Sequence, residues 1–238
     1  MSYKTITDQL IAAAFETGAI TIRPEQSVIC TSPVDLNIQK FTADHGPTNL
    51  VIEALTEKLQ QIGLQKDAII VGITFEGIPT GKLLAHQTKR SFYALKRDAD
   101  KIPGVVNLWH KDVVIVTGTV ATGQTLAESA YVINQANGEC NHAFTIFSKE
   151  FVGAKKLFTG EERITSGGRG SGSDHKEGRD YSLYEKQLPK SNRTLHALIT
   201  PKDIANFIEQ YKTQTSPEQR ELLKNWVSKN QIEEESLV

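Results

Sequence analysis

The stretch with the most chemical content in this chain is DVVIVTGTVATGQTLAESA, beginning at Asp112. An apolar run ends at Val116, and Thr117, Gly118, Thr119, Val120 and Ala121 follow as a small-residue loop. Thr122, Gly123, Gln124 and Thr125 then lead into a segment of helical character. Glycine at 123 lets backbone amides approach an anion. The hydroxyls of Thr119, Thr122 and Thr125 add donors, and a helix N-terminus contributes its positive end. Together these predict a pocket for a phosphate monoester at the end of a strand. Threonine is also a common helix cap, so the pentapeptide ATGQT alone reads equally well as a plain strand-to-helix turn. Its position after a buried strand favours phosphate. The Walker A pattern is absent, and nucleoside triphosphate hydrolysis is not suggested.

The elements that must hold this turn follow from periodicity. A first helix is expected from about Ile6 to Glu16 with Gly18 as its stop, then β-like segments at Ala19–Ile22 and Ser27–Thr31, broken by Ser32-Pro33. Leu50, Val51, Ala54, Leu55 and Leu59 share one face of a helix within Asn49–Gly63. Ala68–Gly72 and Asp112–Val116 are short apolar runs of the kind buried on both faces of a sheet. Gly81–Thr88 reads as helix, Phe92–Leu95 as strand, Thr125–Asn137 as helix, and Ala143–Phe147 and Leu195–Thr200 as strands. Pro201 opens a helix bearing Ile204, Phe207 and Ile208. Ser216-Pro217-Glu218 starts a last one with Leu222, Leu223, Trp226 and Val227 on one face, ahead of a frayed tail. This alternation predicts an α/β fold with a mainly parallel sheet, right-handed crossovers and a ligand beyond the carboxyl ends of the strands. The expected division is one domain over 1–210 and a helical extension over 211–238.

Between Thr165 and Arg193 the rhythm fails. SGGRGSGSDHKEGRD is rich in Gly, Ser and charge without an apolar period, which predicts a mobile insertion. Its basic residues, Arg193 among them, could close over an anion or contact RNA; a solvated linker is the plainer reading. A net charge of −1 gives no electrostatic argument for nucleic acid or a membrane surface. Cys30 and Cys140 belong to no Cys/His cluster, so buried thiols are expected rather than zinc ligands or a disulfide. His110 and His142 flank strands and read as surface or packing residues, and Asp35 and Asn37 as loop residues. Asp8 and Glu16 interrupt the first apolar stretch, and no run approaches the ~20 residues that cross a bilayer. The expected location is the cytoplasm.

The strand and turn at 112–125 resemble the phosphoribosyl pyrophosphate (PRPP) motif of type I phosphoribosyltransferases: four apolar residues, two acids, two or three residues, then Thr-Gly-x-Thr. Phe15–Ile20 followed by Ser32-Pro33 is similar to the N-terminal signature of orotate phosphoribosyltransferases. VGITFEGIP, with Thr74, Phe75, Glu76 and Gly77, resembles their pyrophosphate loop. YALKRDADKIPG, Tyr93–Gly104, sits where they carry a basic strand end and a catalytic loop, and LHALITPKDIANFI is similar to their closing strand and helix. The likeness runs in order over about 5–160 and 195–210. It implies the type I phosphoribosyltransferase fold with a small N-terminal hood, and a nucleotide or phosphoribosyl ligand. It also implies a homodimer and, in an active member, Mg2+ and transfer of ribose phosphate from PRPP to orotate in pyrimidine biosynthesis.

The charged groups that the resemblance calls for are largely missing. Its two acids fall on Thr117 and Gly118, and Glu76 stands where a lysine or a small residue is expected, a carboxylate that should repel pyrophosphate. Lys96 is kept, but Leu95 replaces an arginine. The mobile-loop lysine falls on Ala99, with Lys101 two positions away, and the lysine before Ser-Pro falls on Ser27. Each lost charge-assisted contact removes about 1.5–3 kcal/mol. The sequence therefore reads as a relative that keeps a phosphate pocket with weak or no transfer, Lys96 and Lys101 carrying what catalysis is left, and with no metal ligands of its own. The alternatives are an active orotate enzyme and an interaction module with a vestigial pocket.

Overall fold

The computed structural model describes residues 3–23, 32–96, 102, 104, 108, 109, 111–149, 151–160, 192–211 and 215–235, the side chains of 151–153 and 229–235 aside. The expected strand at Ser27–Thr31, Cys30, His110, Ala99, Lys101 and nearly all of the insertion lie outside the described residues.

In chain order the elements are α1 (Ile6–Glu16), β1 (Ile20–Ile22), β2 (Val34–Leu36), α2 (Ile38–Phe41), α3 (His45–Ile62), β3 (Ile69–Ile73), α4 (Thr74–Thr88), β4 (Phe92–Leu95), β5 (Asp112–Val120), α5 (Gln124–Gln135), β6 (Glu139–Ser148), α6 (Phe151–Thr159), β7 (Thr194–Ile199), α7 (Pro201–Tyr211) and α8 (Pro217–Glu235). Five strands form a parallel sheet in the order β4-β3-β5-β6-β7, and β1 and β2 make a separate antiparallel pair. Parallel pairing brings the carboxyl ends of β3, β4, β5 and β6 to one edge.

The apolar run of β5 is explained by its position. Val114 and Val116 point into a core with Leu10, Phe41, Leu55, Phe144 and Phe207, while Val113 and Ile115 point into another with Leu126, Ile133 and Phe158. A central strand covered by helices on both faces has no polar side. The first helix is fixed by a capping box: Asp8 N–H donates to Thr5 Oγ1 at 3.0 Å and Thr5 N–H to the Asp8 carboxylate at 3.2 Å.

Several elements begin earlier or run longer than periodicity suggests. Helix α3 starts at His45, with Pro47 in its first turn, where a missing N–H costs no helical bond. Helix α4 starts at Thr74 rather than Gly81, and β5 continues to Val120 rather than stopping at Val116. Helix α6 has no counterpart in the sequence reading, although Ala154 and Phe158, four residues apart, are buried apolar residues on it. Leu223 of α8 is buried in the same core as Phe207, so the C-terminal helix packs on the body of the fold. Among the described residues no helix is long and apolar enough to cross a membrane.

At the amino ends of β6 and β7, His142 Nδ1 lies 3.3 Å from His196 Nε2. Burial, the neighbouring His142 and then Lys58 push the His196 imidazole down to about 4. Burial also lowers His142, opposed by Asp112. A folded-state value below the unfolded one favours the neutral ring, so this stability is full above the ordinary imidazole range and is lost as pH falls through it. Urea unfolding at pH 7.5 and pH 5 should show lower stability at the acid pH, by about 1 kcal/mol from His196 once solvent screening of its partly exposed ring is allowed for. The variant His196→Gln should remove most of that difference.

Candidate functional site

The carboxyl edge of the sheet is shaped by how closely α4 approaches β5. Gly77, in the first turn of α4, rests on the backbone of β5: a Cβ there would collide with the Val116 carbonyl oxygen and lie 2.6 Å from Thr117 Cα. The chain reaches this position through Thr74, whose φ of 64° is left-handed. A β-branched residue is seldom found in that region, and such strain gathers at functional sites. The Thr74 hydroxyl lies 3.3 Å from that of Thr117 and accepts from Gly77 N–H at 3.3 Å. The stretch expected as a pyrophosphate loop is therefore the end of β3 and the first turn of α4. Phe75 points outward, 76% exposed, and Glu76 is half-buried.

The phosphate motif is likewise divided. Thr117, Gly118, Thr119 and Val120 belong to β5, with Thr117 buried, Ala121–Gly123 form the turn, and Gln124 and Thr125 open α5. The carbonyl of Gly118 accepts from the Thr145 hydroxyl at 3.0 Å. Gly123 occupies the N-cap position of α5 with φ 80° and offers no side chain to cap it; the Gln124 N–H donates to Thr122 Oγ1 at 3.5 Å, and the other first-turn amides have no side-chain cap and can serve an anion. A Cβ on Gly123 would lie 2.7 Å from Ala154 Cα, so the turn is pressed against α6. Gln124 turns along its own helix to donate to Glu128 at 2.9 Å. Thr122 and Thr125 are half-buried.

Lys96 follows β4 directly and is exposed at the same edge, one position beyond the Ile73–Leu95 register pair. Two features of this edge escape the sequence reading. Asp35 is not a loop residue but lies in β2 and pairs with Lys149, which follows β6, tying the hood to the sheet. Ile38 of α2 sits 3.5 Å from the point where a Gly118 Cβ would stand. A lysine immediately after a buried strand was the available signal for the first; nothing local marks the second. Asn37 caps α2 by accepting from Lys40 N–H at 2.9 Å. Ser148, the last residue of β6, has a buried hydroxyl with no partner among the described residues.

Arg193 lies elsewhere. It is buried at the amino ends of β6 and β7, donating from Nε to the Cys140 carbonyl at 3.0 Å and from Nη1 to that of Phe158 at 3.5 Å. It is a structural tie at the opposite edge, placed away from an anion on the phosphate turn. Cys140 is a buried free thiol, and burial pushes it up to about 12.

Magnesium in phosphoryl chemistry is held by one or two carboxylates together with substrate oxygens. Thr117 and Gly118 supply none, Glu76 is a single carboxylate, and no group of three or more acids, histidines or cysteines gathers among the described residues. With Glu76 as the one carboxylate beside the strand end among the described residues, a magnesium ion here would rest mainly on the oxygens of a ligand.

No protein-family model and no curated protein matches the sequence. Solved structures do. The UMP synthase of Leishmania donovani superposes with a TM-score of 0.69 at 13% identity, over 94% of this chain and 42% of that one. The orotate phosphoribosyltransferase of Francisella tularensis gives 0.63 at 11% identity, over 93% and 98%. The adenine phosphoribosyltransferase of Trypanosoma brucei, solved with AMP, pyrophosphate and ribose-5-phosphate, gives 0.56 at 13% identity, over 85% and 83%. The chain thus spans less than half of the Leishmania protein and most of the other two. It has the type I phosphoribosyltransferase fold.

Gly77→Ala should cost about 3 kcal/mol or more in chemical denaturation, because a methyl group meets backbone that cannot move aside. Gly123→Ala adds left-handed strain of about 1–2 kcal/mol to its contact with Ala154.

Proposed function

We propose that this chain is a cytoplasmic, orotate phosphoribosyltransferase-like protein that binds a nucleotide or phosphoribosyl ligand and catalyses transfer weakly or not at all. The observation that carries the reading is the Ala121–Thr125 turn. An uncapped helix N-terminus and two threonines stand at the carboxyl edge of this fold, beside a strand end with no acid at Thr117 or Gly118. Amides and hydroxyls there satisfy a phosphate. Transfer through a cationic sugar needs negative charge close to the ribose, and with Thr117 and Gly118 uncharged the pair of acids is reduced beside this strand end to the single carboxylate of Glu76. The arrangement suits a sensor or a non-catalytic subunit.

Calorimetric titration with PRPP and with orotidine monophosphate, each with and without magnesium, should show saturable binding. Pyrophosphate release with orotate should stay at background. Thr122→Val with Thr125→Val should weaken binding by about tenfold or more, from two lost hydrogen bonds. Rapid turnover by the unmodified protein would refute the loss of catalysis, and an absence of binding would refute the ligand.

A homodimer is part of the same proposal. Phe75 and Leu83 stand exposed on α4 with Pro79 between them at helical spacing, which supports burial against a second copy. Sedimentation equilibrium should give twice the chain mass, and Phe75→Ser with Leu83→Lys should reduce it to the monomer.

A further inference from the structure

Glu76 is half-buried at the carboxyl edge, and its carboxylate makes no hydrogen bond or ion pair among the described residues. The backbone around it is arranged to put it there. Thr74 takes a strained left-handed conformation, Gly77 lets α4 touch β5, and both bring Glu76 across the end of the neighbouring strand. There it fills the space of a missing side chain. A Cβ built on Gly118 would lie 2.5 Å from Glu76 Cβ and 3.2 Å from its Cγ, with Ile38 closing the remaining side at 3.5 Å. Residues 76 and 118 cannot both carry side chains in this geometry.

A carboxylate accepts hydrogen bonds and donates none. The phosphate turn begins only three residues beyond Gly118, at Ala121, so an anion seated there would be repelled by Glu76 unless donors came between them. A sugar phosphate supplies both parts: phosphate for the amides of α5, and hydroxyls for the acid. We infer that Glu76, reaching over from the β3–α4 junction into the space left by Gly118, is the carboxylate that accepts the hydroxyls of a pentose phosphate. This rests on the phosphate reading of the turn. It also changes the meaning of the residue: Glu76 selects the sugar rather than repelling a pyrophosphate.

The test compares ribose 5-phosphate with 2-deoxyribose 5-phosphate by calorimetry. The unmodified chain should bind the ribose compound about tenfold more tightly, the scale of one charge-assisted hydrogen bond. Glu76→Gln should bring the two compounds to equal affinity, since it removes both the charged acceptor for the ribose hydroxyl and the repulsion felt by the sugar that lacks it. Gly118→Asp alone should lower the melting temperature sharply. Combining it with Glu76→Gly, which moves the carboxylate to the other strand, should restore folding and part of the sugar preference. A preference that survives Glu76→Gln, or equal binding of both sugars by the unmodified chain, overturns the role of Glu76 while leaving the phosphate site standing. Failure of both compounds to bind the unmodified chain overturns the phosphate site, and this inference with it.

Discussion

The contact on which the carboxyl edge depends is that between the first turn of α4 and the backbone of β5. Two peptide chains meet there with no side chain between them, because residue 77 is glycine. Such an approach excludes water, and only glycine fits it. It stands three residues after the left-handed Thr74, and it brings residue 76 so close to 118 that the two cannot both carry side chains. Strain of this kind persists only where the surroundings over-determine it. Here the surroundings are a sheet buried on both faces.

The architecture was open to a reader of the sequence because burial leaves a periodic signature. The runs AIIVG and DVVIV gave themselves away by lacking a polar side, and α7 by Ile204, Phe207 and Ile208. The boundaries were less legible. Glycine-rich stretches such as TFEGIPTG and TGTV look like loops, since propensity counts the entropy of glycine and not the close packing that only glycine permits. In the fold those stretches are the start of α4 and the end of β5. The local rule failed at the candidate site, where a chain is expected to give up local preference for geometry.

Much the same holds for the candidate site. The turn at Thr122–Thr125 could be read from residue types alone, because capping and anion binding draw on the same hydroxyls and amides. The relation of Glu76 to Gly118 could not. Forty-odd residues separate them, and each looks like an isolated departure from the family pattern until the strands are laid side by side. Asp35 with Lys149, and Arg193 with the carbonyls of Cys140 and Phe158, are hidden for the same reason. Pairings across a sheet become visible only once register is known.

The packing of Gly123 against Ala154 gives the turn a mechanical character. With no room for even a methyl group between them, the two backbones move together. Ala154 lies near the middle of α6, so the helix backs the turn as a rigid plate, and a substitution that swells either residue presses directly on the other backbone.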